Sequence, residues 1–123
     1  MRAHEFDDRS ALIYQYSRRG NVIGRLNIGD YTIFLDDHLM TQAKLPERDV
    51  DEFVIQEVVP KIPQAKAKLR TLGSGQSFWL YDNTNRIALG VKILHLEYKI
   101  FLVKTVWRGM PQSDAKYPVF NVA

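Results

Sequence analysis

The chain has no cysteine, which excludes disulfide staples and thiolate nucleophiles and permits a reducing compartment. Histidine is scarce as well. His4, His38 and His95 are the only three in 123 residues, leaving few imidazoles to bind a metal or carry protons. No apolar run approaches the roughly 18–20 residues that cross a bilayer, so no membrane partner is expected. The opening residues, from Met1 to Asp8, lack the apolar stretch of a secretory leader, which makes a cytoplasmic location the expectation. What is present is ordinary. Hydrophobic residues make up 46% and charged residues 25%, the balance of a globular domain rather than of a disordered or low-complexity segment. The length suits one domain over residues 1–123, since two halves would each be too small to bury a core.

The formal net charge is only +3, but its distribution is uneven. Asp30–Glu57 holds eight acids against two bases, and Val58–Arg108 holds nine bases against two acids. Such asymmetry marks either a polyanion-binding face or an acidic helical face packed beside a basic sheet edge. On the first reading Lys66, Lys68, Arg70 and Lys92 are candidate polyanion-binding residues.

Local pattern divides the chain into strands, helices and strands again. Ser10–Ser17 alternates loosely and is rich in Tyr and Ile; with a turn at Arg18–Asn21 and the run Val22–Ile28 it reads as a hairpin. Gly29 and Asp30 turn the chain into a third β segment, Tyr31–Leu35. Asp36 or Asp37 can cap a short helix, Asp37–Lys44, that Pro46 ends. Asp49 can cap a second, with Val50, Phe53, Val54 and Val58 at helical spacing, and Phe53 and Val54 are expected to pack from it on the sheet core. Pro60 and Pro63 are expected to stop or kink it, and Gln64–Leu72 adds a basic turn or two before Gly73. Ser77–Asp82, Arg86–Leu96 and Lys99–Trp107 then read as strands of an antiparallel meander. The turns fall at Asn83–Asn85 and at Glu97 and Tyr98. Residues 110–123 read as an irregular tail. The order implies an α+β fold: N-terminal β segments and two or three short helices packed on the meander. The sheet is apolar on both faces, so helices, strands or a second copy in a homodimer should cover each side.

Chemistry concentrates at few positions. His4 is a terminal residue. His95 follows the parity of Ile87, Leu89, Val91 and Ile93 and ends an apolar strand face. His38 differs, standing at a strand-to-helix junction directly after two aspartates, where a carboxylate can orient one ring nitrogen. The same aspartates are explained by capping alone. Asp36, Asp37 and His38 form a compact donor cluster, yet no partner at metal-ligand spacing completes it, so no metal is expected. Gly73–Ser77 lacks the lysine and context of a phosphate loop and reads as a connector. If Glu97 and Tyr98 form a two-residue turn, His95 pairs with Ile100 and Val91 with Lys104. Lys104 then lies on an apolar face, and it must reach outward, pair with a helical acid or meet an anion.

The stretch Asp37–Ile62 resembles the histidine-bearing helical segment of the phage endoribonuclease RegB and of related small phage and bacterial proteins. The matching features are the strand Tyr31–Leu35, His38 at a helix start, Arg48, and Val50 with Asp51 opening the next helix. Phe78–Asp82, Ala88–Ile93 and Phe101–Val106 are similar to the final strands of that group, and the opening residues to uncharacterised marine phage proteins. The resemblance implies a RelE-like ribonuclease fold and metal-independent cleavage of RNA by 2′-hydroxyl attack, with no cofactor. His38 would serve as base or acid, and Arg48 and Lys104 would clamp phosphate. A phage origin would place the protein in the host cytoplasm. The sequence departs from the group where a second histidine is expected, offering Gln64, Lys66 and Lys68. His95 or Lys68 could then be the second proton carrier. Otherwise the protein is a non-catalytic phage accessory module that binds nucleic acid or protein.

Overall fold

The computed structural model describes residues 8–112 and 117–123, so His4 lies outside the described residues. The fold is α+β: a six-stranded mixed, mostly antiparallel sheet in the order β1-β2-β5-β4-β3-β6, with helices on both of its faces. The strands are β1 Val22–Ile28, β2 Tyr31–Asp36, β3 Ser77–Asp82, β4 Ile87–His95, β5 Ile100–Arg108 and β6 Val119–Val122. The helices are α1 Asp8–Ser17, α2 Asp37–Ala43, α3 Glu52–Val58 and the single turn α4 Lys66–Leu69, with a 3₁₀ segment Val59–Ala65 between the last two.

Three expectations are corrected by this architecture. Ser10–Ser17 is not a strand but most of α1, because Leu12, Ile13 and Tyr16 fall one helical turn apart and pack on Phe34, Ile100 and Leu102. The N-terminal hairpin is instead β1 with β2, turned at Gly29, whose φ of 59° suits glycine. Residues 110–123 are not wholly irregular, since Val119–Val122 pairs in parallel with β3 from Trp79 to Asp82. Pro118 is tolerated just ahead of that edge strand, its carbonyl accepting from the Trp79 amide. Nor is the sheet purely an antiparallel meander: β2 also pairs in parallel with β5, Thr32–Leu35 against Ile100–Val103.

The helical region is more continuous than its prolines suggest. Asp51, not Asp49, caps α3, its carboxylate accepting from the Phe53 amide, and Asp49 takes a positive φ of 42°. Ile55, Val58, Val59, Ile62, Ala65 and Leu69 form one buried stripe through α3, the 3₁₀ segment and α4. The α-helix stops at Val58 ahead of Pro60, as expected, and both prolines fall in the tighter 3₁₀ segment that carries the stripe on. Phe53, expected in the core, lies off that stripe and is 78% exposed. The helical layer covers the sheet face of Phe78, Leu80, Leu89, Val91 and Ile93, all buried as the strand parity implies, and of Val106, which a register shift in β5 brings to the same face. Leu102 is buried as well, but on the opposite face under α1. That helix covers only the β2 side of the second face, where a partner chain was the alternative cover.

Candidate functional site

The junction of β2 and α2 builds the first half of the site. Asp36 ends β2 in an extended conformation and caps α2, its Oδ1 accepting from the His38 amide at 2.9 Å. The same oxygen lies 3.0 Å from His38 Nδ1, while Oδ2 accepts from Asn21 Nδ2 at 2.9 Å. Asp37 Oδ1 stands 3.2 Å from that Nδ1. Carboxylates accept, so this geometry selects the tautomer with the proton on Nδ1 and leaves Nε2 with its lone pair. Burial acts to raise the Asp36 carboxyl, but hydrogen bonds donated by the His38 amide and by the His38 and Asn21 side chains outweigh it. The group stays below the ordinary aspartate range. Asp36 is buried, whereas the imidazole is 72% exposed.

The second half comes from an irregularity in β5. The reading of His95 opposite Ile100 holds, but Val91 faces Val103 rather than Lys104, because the β4–β5 register shifts on both sides of this pairing. Lys104 falls in the resulting bulge, which turns it out of the ladder. It is exposed, not set on the apolar face, and it has no acidic partner among the described residues. His38 and Lys104 line one groove of about 410 Å³, within the roughly 300–1,000 Å³ range of small-ligand sites. The groove runs over the part of the sheet that α1 does not cover. Trp79, Gly90 and Thr105 are successive cross-strand partners and share this face. A Cβ on Gly90 would meet Thr105 Cγ2 at 2.6 Å and Trp79 Cζ3 at 3.4 Å, so the indole and the threonine close over a position with room only for hydrogen. Gln42, Ser77 and Tyr117 add polar atoms to the lining.

The other candidate residues divide. Arg48 sits behind the groove rather than in its lining: one of its terminal nitrogens donates to Thr105 Oγ1 at 2.9 Å and to the Val106 carbonyl at 3.1 Å. Its guanidinium lies 4.7 Å from the Trp107 ring centroid. Its Nε is buried with no hydrogen-bond partner among the described residues. The β2–β5 pairing stops at Val103, so Arg48 takes the Val106 carbonyl on a strand that α2, not another strand, flanks. Lys92 pairs with Ser77 and stands on the groove's face. Lys66 and Arg70 instead line a separate cavity of about 160 Å³ with Lys99 and Tyr31, and the Lys68 ammonium lies 5.9 Å from the Phe120 ring. His95 stacks on Tyr98 with centroids 4.5 Å apart, and its Nδ1 accepts the Tyr98 amide, which accounts for it locally. Donor atoms of Asp36, Asp37 and His38 lie within 4.8 Å of one another, the closeness of an imidazole bonded to two carboxylates.

Comparison of the chain with family models, curated proteins and solved structures finds no match. The groove's chemistry therefore stands on its residues alone. Trp79, Gly90, Gln42 and Tyr117 were not singled out by sequence reasoning. Only the glycine inside the β4 pattern signalled a close approach.

Proposed function

We propose that the protein binds RNA in the groove between α2 and β5 and cleaves it by 2′-hydroxyl attack, with His38 as general base. The observation that carries this reading is the pairing of the exposed imidazole with the buried Asp36 carboxylate beside the unpaired Lys104. His38 Nε2 takes the 2′-hydroxyl proton, the freed oxygen bonds to phosphorus, and the bond to the 5′-oxygen breaks. Lys104 stabilises the charge that develops on the phosphoryl oxygens. The departing 5′-oxygen takes its proton from water, and the products are a 2′,3′-cyclic phosphate and a 5′-hydroxyl. The likeness of Asp37–Ile62 to the RegB-type segment supports the same chemistry. Arg48 acts here as a positioning residue behind Thr105 instead of as a phosphate clamp.

The test compares wild type with His38→Ala on a mixed RNA pool in a chelator. Wild type should cut RNA, leave cyclic ends and spare DNA, and His38→Ala should be slower by about 10²–10⁴-fold. Equal cutting by both proteins identifies a contaminant, and no cutting by either removes the catalytic reading. A second reading, an RNA-binding module without catalysis, is favoured by one feature. Among the described residues His38 is the only histidine lining the groove.

A further inference from the structure

We infer that the groove takes one unpaired nucleobase of single-stranded RNA, stacked on the Trp79 indole beside Gly90, with the adjoining phosphate at Lys104. The inference rests on the reading of the groove as an RNA site and specifies the part of RNA that it holds.

Four observations carry it. The groove has the capacity for a small ligand at about 410 Å³, and its floor is apolar, formed where the Trp79 indole lies over Gly90. A base has a π-face and a polar edge, so it suits an indole platform flanked by hydrogen-bonding groups. Those groups are present: Gln42 offers an amide donor and acceptor, and Thr105 Oγ1, accepting from Arg48, keeps its own hydrogen to donate. The cation is on the rim, since Lys104 is exposed with no acid beside it among the described residues. Trp107, the other indole, already carries the Arg48 guanidinium over its ring, so Trp79 is the better platform. A duplex cannot use such a floor, because its bases are stacked on one another and the faces of A-form pairs are hidden.

The experiment uses the full chain with Trp107→Phe, so that fluorescence reports Trp79 alone. The probe is a short single-stranded 2′-O-methyl oligonucleotide, which has no free 2′-hydroxyl and survives any cleavage. Binding should change the Trp79 emission saturably. Trp79→Leu should weaken binding, now followed by anisotropy of a labelled probe, by about 5–150-fold, the span of one base–aromatic stack. Trp79→Phe should keep most of the affinity, which separates loss of the platform from loss of the fold. An abasic version of the probe should bind wild type as weakly as the intact probe binds Trp79→Leu, and Lys104→Gln should lower the salt slope by about one. Equal affinity for abasic and intact probes, or an unchanged affinity in Trp79→Leu, overturns the inference. Tight, base-dependent binding without RNA cleavage upholds it while removing the catalytic reading. His38-dependent cleavage with base-independent binding does the reverse, and no binding at low salt overturns both.

Discussion

Asp82 makes the most quantitative prediction about the frame that holds the groove. Its carboxylate is fully buried at the end of β3 and accepts four hydrogen bonds. Lys61 Nζ lies 3.1 Å from Oδ1 and 3.0 Å from Oδ2, the Thr84 amide donates to Oδ1 at 2.9 Å, and Asn85 Nδ2 donates to Oδ2 at 2.7 Å. The pair joins the 3₁₀ segment under the sheet to the β3–β4 turn. Asp82→Ala leaves the Lys61 ammonium, only 17% exposed, without its counter-charge and also strands the Thr84 and Asn85 donors. Removing one member of a buried pair costs about 3–5 kcal/mol, a large share of the roughly 5–15 kcal/mol that stabilises a domain. With a urea slope of about 2 kcal/mol/M the unfolding midpoint should fall by roughly 2 M at unchanged slope. Adding Lys61→Met removes the stranded charge, so the double variant should be less destabilised than the two single variants combined, with a coupling of about 0.5–3 kcal/mol. Strictly additive effects, or a loss below about 1 kcal/mol for Asp82→Ala, would refute the assignment of a working buried pair.

The remaining predictions follow from single contacts. Gly90→Ala should cost about 1–3 kcal/mol in denaturant unfolding, because the new Cβ meets Thr105, which Arg48 holds in place; a neutral result would show that the threonine moves freely. Leu89→Ala should cost about 2–5 kcal/mol, since Leu89 is fully buried between the sheet and the helical layer, and a loss under about 1 kcal/mol would contradict the strand parity. Acid should destabilise the fold through Asp36 and Asp82. Burial acts to raise both carboxyls, but their hydrogen bonds, with Lys61 at Asp82, outweigh it and hold them below the ordinary aspartate range. Their contribution is therefore full above the unfolded value of about 3.9 and is lost as pH falls through the lower folded values. Melting temperature measured from pH 7 to pH 2 should drop mainly below about pH 4, and Asp82→Asn should flatten that drop.

How far the sequence reached can be traced to particular residues. Ser77–Asp82 was legible to the residue and the two long strands to within a residue or so, because continuous apolar runs between turn residues leave little choice. A cap at Asp36 or Asp37 was legible, and with it the placing of His38, since a carboxylate before a helix start has a local reason to be there; the structure selects Asp36. What failed depended on distant partners. Ser10–Ser17 has too few apolar residues to declare its period, and its helix is decided by Phe34, Ile100 and Leu102 far along the chain. Phe53 was drawn into the core by its neighbours Val50 and Val54, whereas the buried stripe begins at Ile55 and continues through two prolines. A four-residue edge strand such as β6 carries almost no local signal of its pairing. The role of Arg48 could not be read locally either. A guanidinium that clamps a phosphate and one that takes a strand carbonyl have the same sequence, and only the end of β2 at Asp36 decides between them.

The site depends on two departures from regular sheet geometry. Had β2 continued beside β5, its next residues would have taken the Val106 carbonyl, and no helix would begin there. Because the parallel pairing stops at Leu35 and Val103, Asp36 is free to cap α2, and the imidazole two residues on reaches back to that cap. Had β4 and β5 kept one register, Lys104 would have faced Val91 within the ladder. The local shift leaves the lysine outside it, on the same groove as His38. The first departure also brings Leu39 and Ala43 of α2 into the core, whereas the second interrupts a ladder that regular pairing would complete. On the proposed reading the second departure has a use that regular pairing would not serve, because it sets an ammonium with no ion-pair partner among the described residues on the groove that holds the oriented imidazole.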